Sequence, residues 1–294
     1  MAADSPLNLT DPAFIQRLES LALLARRVLR GKLQANRRTV QKGAGVNFSD
    51  YAEYTYGDDH RAIDWRVYGR LESLVIKLFE MEEDMTLVLL LDTSRSMASK
   101  LPHAARLAAA LGYLALSGLD QVVIHSVSDR LRPVVEPLHG RNRALTMLRG
   151  LEQVTCAGVD SDLDACCRTM LSRHRRRAMV VPISDFLFPG GFDRALSRLR
   201  HANHEVFAIQ VQDDRDRRCD VLGDVDLHCV ETGRRRRVTV SEREQRLYEQ
   251  AVADWNESLR AACSRRGIGL ASVTTEVPFE DVIARILRRG GLVA

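Results

Sequence analysis

The stretch "LVLLLDTSRSMASK", residues 87–100, decides the fold class of this 294-residue chain. Its apolar first part predicts a buried strand, and the strand then breaks into one carboxylate and a series of hydroxyls. Asp92, Ser94 and Ser96 alternate along the chain after the strand, so their side chains can converge on one point. Because ligands collect at the carboxyl ends of the strands in an open α/β sheet, the stretch predicts a central strand with a site at its end.

Strands and helices alternate through the rest of the C-terminal part. Strands are predicted in "DQVVIHSVS", "RPVVEPL", "AMVVPISD", "HEVFAIQVQ" and "GIGLASVTT", and helices over 98–117, 140–152, 161–173, 191–202 and 279–289. This alternation indicates an α/β fold with a mostly parallel sheet flanked by helices. "VDLHCVETGRRRRVTVS" predicts a hairpin turning at Thr232 and Gly233, and Ser241 then caps a long helix.

The N-terminal part has a different pattern. Residues 12–30 place Phe14, Leu18, Leu21 and Val28 at helical spacing, which predicts an amphipathic helix. The following stretch is rich in Gly, Tyr and charge, and "SLVIKLFEME" alternates like a half-buried strand. We therefore predict two regions: residues 1–84 form a helix and an irregular or β extension packed on the core, and residues 85–294 form the α/β domain.

Composition and charge constrain the class of protein only mildly. The 43 basic residues exceed the 39 acidic ones by only four, which is no signature of a nucleic-acid-binding protein. The six cysteines form no C-x-x-C pair, so we interpret them as reduced core thiols. The first thirty residues contain neither a signal peptide nor a membrane anchor pattern, so we expect a cytoplasmic protein without membrane insertion.

Oxygen donors follow two strands and open one helix. Asp92 and Asp185 each come at the end of a predicted strand, Ser94 and Ser96 follow the first, and Ser161 begins a helix between them. Two carboxylates and several hydroxyls suit Mg²⁺ or Mn²⁺, which prefer oxygen ligands. The alternative is that these residues only cap the helices beginning near 98 and 191.

The segment "GDDHRAIDW" concentrates three aspartates, one arginine and one tryptophan. Paired carboxylates can perform acid/base chemistry, but no histidine or nucleophile completes such an arrangement here. We predict a structural network in which Arg61 pairs with the aspartates and Trp65 anchors the segment on the sheet. The predicted network consists of Asp58, Asp59, Arg61, Asp64 and Trp65.

Two sets of motifs carry a resemblance to known families. "DTSRSM", with "SDL" at 161–163 and "SDF" at 184–186, resembles the metal-ion-dependent adhesion site of von Willebrand factor A domains. "GAGVNFSDYAEYTYGDDHRAIDW" followed by "LVIKLFEMEEDMTLVLLLDTSRSM" resembles the bacterial proteins called domain of unknown function 58. The likeness extends from about Leu18 to the C-terminus. Ser161 stands where such sites usually have Thr, and it keeps the hydroxyl.

The resemblance implies a function as well as a fold. Proteins of this kind often act with AAA+ ATPases of the MoxR type, which implies a non-catalytic, metal-dependent adaptor that helps the ATPase remodel or mature a target complex. The sequence contains no G-x-x-x-x-G-K-[ST] motif, so we expect an ATP-driven step to come from the partner.

Two alternatives of other classes stay open. A phosphoester hydrolase would use Asp92 as nucleophile, although Ser94 replaces the second aspartate of such enzymes. A nucleic-acid-binding protein would use the runs Arg175–Arg177 and Arg234–Arg237, although few aromatic residues accompany them for base stacking.

Overall fold

The computed structural model describes residues 7–29, 38–42, 47–82, 85–118, 120–157 and 161–289. The chain divides into two compact units, one containing Met1–Val28 and Met85–Leu292 and the other Leu29–Asp84. The division at residue 85 coincides with the predicted boundary. The prediction grouped residues 1–84 together, whereas the structure places the first helix in the larger unit.

The described strands are numbered along the chain. They are β1 (Arg38–Lys42), β2 (Asn47–Glu53), β3 (Val75–Glu82), β4 (Thr86–Asp92), β5 (Gln121–Val127), β6 (Leu131–His139), β7 (Met179–Ser184), β8 (Glu205–Gln212), β9 (Gly223–His228), β10 (Arg235–Val240) and β11 (Gly269–Thr274). Six of them form the sheet of the larger unit, in the order β11-β8-β7-β4-β5-β6. Neighbours pair in parallel except β6, which runs antiparallel to β5. The predicted mostly parallel α/β sheet is confirmed.

The described helices are also numbered along the chain. They are α1 (Pro12–Leu29), α2 (Trp65–Leu71), α3 (Leu101–Ser117), α4 (Ala144–Glu152), α5 (Leu163–Arg173), α6 (Asp193–His201), α7 (Asp214–Arg217), α8 (Glu242–Arg265) and α9 (Phe279–Arg289). Ser241 caps α8 as predicted, in a capping box with Glu244. Within the described ranges, no helix has the length and apolarity needed to span a membrane.

Strand β4 is buried on both of its faces. Successive side chains of a strand point to opposite faces, so Val88 and Leu90 lie on one face and Leu89 and Leu91 on the other. All four are at most 1% exposed. The Val88 face belongs to a core that also contains buried side chains of α5, α6 and α8. Helices therefore leave mainly the strand ends accessible to a ligand.

Helix α1 is amphipathic, as the sequence predicts. Phe14, Leu18 and Leu21 are buried. The Phe14 ring lies 5.2 Å from the ring of Phe279 at the start of α9, measured between centroids. The apolar face of α1 is therefore buried within the larger unit.

The smaller unit is built on an antiparallel sheet of three strands in the order β1-β3-β2. Asp64 precedes α2 and caps it, since its carboxylate accepts a hydrogen bond from the backbone N–H of Arg66. Ile63 forms an isolated bridge with Ile76 of β3. These contacts connect the "GDDHRAIDW" segment to the strand that follows it.

Candidate metal site at the carboxyl ends of the strands

Asp92 is the last residue of β4 and is only 1% exposed. Its Oδ1 accepts a hydrogen bond from the backbone N–H of Ser94 at 2.9 Å, and its Oδ2 accepts one from the hydroxyl of Ser184. Burial, together with the neighbouring Asp185 carboxylate, raises the pKa of Asp92 to about 7. Both of these hydrogen-bond donors are neutral, so neither balances the charge of the ionised carboxylate.

Ser94 and Ser96 lie on the loop that follows Asp92. Their hydroxyl oxygens are 3.0 Å apart, so one of them donates to the other. Ser94 is buried and Ser96 is partly buried. The alternation seen in the sequence therefore does bring the two hydroxyls to one place beside Asp92.

Asp185 lies at the end of the neighbouring strand β7 and is 2% exposed. Its Oδ1 accepts a hydrogen bond from the backbone N–H of Leu187 at 2.9 Å. Its Oδ2 lies 2.7 Å from the Nζ of Lys100, and that ammonium also lies 2.7 Å from Oδ2 of Asp216. Burial opposes the charge of Lys100, but the two carboxylates more than offset this and raise its pKa.

Ser161 lies at the same edge of the sheet on a third loop. The chain before it is held by a 2.8 Å hydrogen bond from Ala157 N to Thr93 O, and the chain after it by one of 3.1 Å from Asp162 N to Ser128 O. Ser161 is 6% exposed, and its Oγ has no hydrogen-bond partner within the described part of the chain. A buried hydroxyl without a partner costs free energy, which a ligand at this oxygen would recover.

Helix capping does not explain these aspartates. Helix α3 begins after Lys100 and α6 begins after Phe192, and neither helix start has a side-chain cap. The capping residue at the start of α5 is Asp162, next to Ser161. The alternative in which Asp92 and Asp185 only cap helices is therefore wrong.

The donor set fits a hard divalent cation. The ammonium of Lys100 is shared between the carboxylates of Asp185 and Asp216, and no ion pair among the described residues reaches Asp92, so negative charge is in excess when these groups are ionised. No group of three or more His, Cys, Asp or Glu side chains with metal-site geometry occurs among the described residues. A cation at this edge would therefore depend on hydroxyl oxygens as well as carboxylates, which Mg²⁺ and Mn²⁺ accept.

Several polar residues at this edge escaped the sequence interpretation. They are Lys100, Asp216 and Glu231, whose Oε1 accepts a 2.9 Å hydrogen bond from the backbone N–H of Ser96. Lys100 precedes α3, Asp216 lies in α7 and Glu231 lies between β9 and β10, and no spacing rule connects these positions. Ser184 belongs to the "SDF" motif at 184–186, although the sequence did not assign it as a ligand.

The aspartates of "GDDHRAIDW" have partners, and Arg61 contacts one of them, Asp59, through its backbone N–H and not its guanidinium. Asp58 accepts hydrogen bonds from Thr55, and Asp59 caps the short 3₁₀ turn that follows it. Asp64 forms an ion pair with Lys77 at 3.0 Å.

The predicted anchoring by Trp65 is wrong, and Arg61 contacts an aspartate by its backbone amide. Within the described chain, no ion pair joins the guanidinium of Arg61 to any of the three aspartates. The ammonium that reaches Asp64 comes from Lys77 on the adjacent strand β3. Trp65 is 62% exposed and stacks edge-on with Tyr68, one helical turn away, so it does not anchor the segment on a sheet.

The strand order, the single antiparallel edge strand and the Asp-x-Ser-x-Ser loop after the central strand define a von Willebrand A-like domain. A family model described as "Protein of unknown function DUF58" matches residues 50–258, and the chain belongs to this family. The uncharacterized protein Rv1480 of Mycobacterium tuberculosis is 28% identical over 296 residues, which cover 97% of this chain and 93% of that protein.

Solved structures with a likeness to the chain include two bacterial proteins. The conserved hypothetical protein BatB from Bacteroides thetaiotaomicron matches with a TM-score of 0.44 at 12% identity. The match covers 71% of this chain and 98% of the BatB chain. A von Willebrand factor type A protein from Catenulispora acidiphila has a TM-score of 0.42 at 8% identity, covering 86% of this chain and 49% of its own.

Proposed function

We propose that this protein is a non-catalytic adaptor that binds a protein partner through a divalent metal ion, Mg²⁺ or Mn²⁺. The observation that carries the proposal is the buried edge of the sheet, where, among the described residues, one ammonium is shared by two carboxylates and the Ser161 hydroxyl has no hydrogen-bond partner. Asp92, Ser94, Ser96, Ser161 and Asp185 would hold the ion. When bound, the ion would supply a coordination position for an acidic side chain of the partner.

The residues around the ion would have different roles: the carboxylates would supply negative charge, and the hydroxyls would supply neutral oxygen ligands. The donors that the described residues offer to the two oxygens of Asp92 are neutral, so this carboxylate has most to gain from a cation. Asp185 is already held in place by Lys100 and by the Leu187 amide. The neutral hydroxyls of the serines leave the ion electrophilic, which favours a charged carboxylate from outside.

The proposed partner is an AAA+ ATPase of the MoxR type, acting with this chain in the maturation or remodelling of a target complex. This part of the proposal derives from the family resemblance of the sequence motifs. The metal site supports it only in that an acidic side chain on the ATPase or on its target would form a strong, orientation-fixing bond to the ion.

A pull-down from native cell extract tests the proposal, in Mg²⁺ and in EDTA, with wild-type protein and the Asp92→Ala variant. We expect the wild-type protein to recover an AAA+ ATPase in Mg²⁺, and expect both EDTA and the substitution to abolish the recovery. Arg234→Ala, which removes a charge from an exposed turn, is the control and should recover the ATPase. Recovery of the same proteins in every condition, or of no ATPase, would contradict the proposal.

The hydrolase and nucleic-acid alternatives predict other results. A phosphoester hydrolase should turn over p-nitrophenyl phosphate in Mg²⁺ and lose this activity in Asp92→Ala. A nucleic-acid-binding protein should bind DNA or RNA with an affinity that falls steeply as salt rises, independently of Asp92. The two arginine runs lie on separate elements, between α5 and β7 and at the hairpin of β9 and β10. We expect neither activity.

A further inference from the structure

The hairpin of β9 and β10 brings an acidic side chain to the metal site. The tip between the two strands is closed by hydrogen bonds from Cys229 N to Arg234 O and from Gly233 N to Cys229 O, both 2.8 Å. Gly233 has a φ of +73°, which a glycine adopts without strain. Most side chains of the two strands are exposed, so the hairpin adds little to the core. Its tip nevertheless carries Glu231 to the loop after β4.

The two oxygens of Glu231 differ in their surroundings. Oε1 accepts the hydrogen bond from Ser96 N at 2.9 Å, across 135 residues of sequence. Oε2 is buried and has no hydrogen-bond partner among the described residues. A buried carboxylate oxygen without a donor is costly unless a cation lies beside it. The amide that Glu231 contacts belongs to Ser96, whose hydroxyl is one of the proposed metal ligands.

The charges at the site also favour a cation beside Glu231. Glu231 adds a carboxylate to those of Asp92, Asp185 and Asp216, and the ammonium of Lys100 lies 2.7 Å from two of them, Asp185 and Asp216. Among the described residues, Ser161 adds a second buried oxygen without a hydrogen-bond partner. The loops that carry these two oxygens are both hydrogen-bonded to the segment after Asp92, at Thr93 O and at Ser96 N, which favours one shared cation over two unrelated defects.

We propose that Oε2 of Glu231 closes on the metal when the ion binds, as an internal ligand in the position that a partner's carboxylate would take. Without the ion, no three acidic side chains of the described residues have metal-site geometry, so the proposal requires this movement of Glu231. The inference rests on the proposed function, since it assumes the same ion. In this arrangement the chain supplies its own acidic side chain while no partner is bound. A partner must then displace the tip of the hairpin, so the hairpin makes binding selective for partners that compete with an intramolecular carboxylate.

Binding of Mn²⁺ alone tests the inference on the full chain. Glu231→Gln keeps an oxygen that can accept the Ser96 hydrogen bond but removes the charge, so the fold should be preserved. We expect the dissociation constant for Mn²⁺, measured by electron paramagnetic resonance, to rise at least about tenfold. Water proton relaxivity should show one additional water molecule on each bound Mn²⁺. Asp226→Asn, an exposed carboxylate on the same hairpin, is the matched control and should change neither quantity.

Acetate can stand in for the carboxylate of a partner. It should displace the additional water of Glu231→Gln at a lower concentration than it needs to displace a ligand in the wild-type protein. A measurement without substitution is hydrogen exchange of the wild-type hairpin, where Mn²⁺ should slow exchange at residues 229–234.

The outcomes separate the two proposals. If Asp92→Ala loses Mn²⁺ while Glu231→Gln matches the wild-type protein in affinity and in bound water, the metal site stands and Glu231 is not a ligand. If the wild-type protein binds no Mn²⁺, the proposed function fails and the inference fails with it. A tenfold loss of affinity and a gained water in Glu231→Gln, absent in Asp226→Asn, support the inference.

Discussion

Asp64 and Asp92 are two buried aspartates with the same local geometry. In each, Oδ1 accepts a hydrogen bond from the backbone N–H two residues further on, that of Arg66 at 3.0 Å and that of Ser94 at 2.9 Å. Asp64 is 8% exposed and Asp92 is 1% exposed. The first oxygen of each aspartate therefore has an equivalent backbone donor. The two side chains differ in the partners of the second oxygen, Oδ2.

The second oxygen of Asp64 has a cation beside it. Its Oδ2 lies 3.0 Å from the ammonium of Lys77 and 3.3 Å from the hydroxyl of Tyr51. The hydrogen bond from Lys77 is the main cause that holds the pKa of Asp64 below its usual value. The chain itself balances this carboxylate, which caps α2 and joins it to the strands β2 and β3 through Tyr51 and Lys77.

At the second oxygen of Asp92, the described residues place a neutral donor, the hydroxyl of Ser184, and no ammonium. Burial and the nearby carboxylate of Asp185 raise the pKa of Asp92 to about 7. The two aspartates thus differ in electrostatics: an ammonium lies beside Asp64, whereas none among the described residues pairs with Asp92. The number of acidic residues in a motif therefore indicates less about ligand binding than whether the fold places a cation beside each of them.

The largest expected effect concerns pH in the absence of metal. Folded Asp92 keeps its proton up to a pKa of about 7, whereas an ordinary aspartate releases it near 3.8. Between these values the folded state binds one proton more than the unfolded state, so stability falls as pH rises through this window. The three-unit difference corresponds to a loss on the order of 4 kcal/mol.

Asp92→Asn should remove this loss, because the amide does not titrate. Urea unfolding in EDTA at intervals from pH 4.5 to 7.5 measures it, and the variant should show a flatter dependence than the wild-type protein. Parallel curves for the two proteins would show that Asp92 ionises normally, which would remove the contrast with Asp64.

The next effect is stabilisation by a divalent metal. Mg²⁺ at one hundred times its dissociation constant should stabilise the wild-type protein by about 2.7 kcal/mol, visible as a rise in melting temperature. Asp92→Ala should abolish the rise, and Asp64→Ala should retain it while melting at a lower temperature throughout. An equal rise in Asp92→Ala would refute the site, and loss of the rise in Asp64→Ala would show that the two aspartates are not independent.

The central fold was predictable from the sequence because its signals are local. The apolar run before Asp92 and the alternation of strands with helices depend on neighbouring residues, and the capping box at Ser241 spans four positions. The antiparallel direction of β6 was not predicted, since a strand of the same composition can pair in either direction. Helix α1 belongs to the larger unit and contacts Phe279 there through Phe14. These residues are far apart in sequence, so a local pattern does not predict the contact.

The site was predictable only where its residues are close in sequence or follow predicted strands. Asp92, Ser94 and Ser96 lie on one loop, and strand ends place Asp185 at the same edge. Lys100 and Glu231 reach this edge through tertiary contacts over 85 and 135 residues, so spacing gave no indication of them. In "GDDHRAIDW", pairing Arg61 with the aspartates assumed that the nearest cation in sequence is the nearest in space.

The smallest expected effect concerns Asp64 and tests whether the ammonium of Lys77 lowers its pKa. Lys77→Met removes the ammonium beside Asp64 and keeps the length of the side chain, so the pKa of Asp64 should rise toward its usual value. Lys77 is 41% exposed, and an ion pair so accessible to solvent adds little to stability, so the melting temperature should change only slightly. Carboxyl carbon NMR across an acid titration measures the pKa directly.

Arg66→Met is the matched control for this experiment. Arg66 supplies a backbone N–H to Asp64, and the substitution removes a nearby charge while keeping that donor. The pKa of Asp64 should therefore stay low in this variant. If it stays low in Lys77→Met as well, the backbone amide alone holds Asp64 ionised. Since Asp92 has an equivalent amide bond from Ser94, the difference between the two aspartates would then have to come from burial and Asp185, not from the absence of a cation.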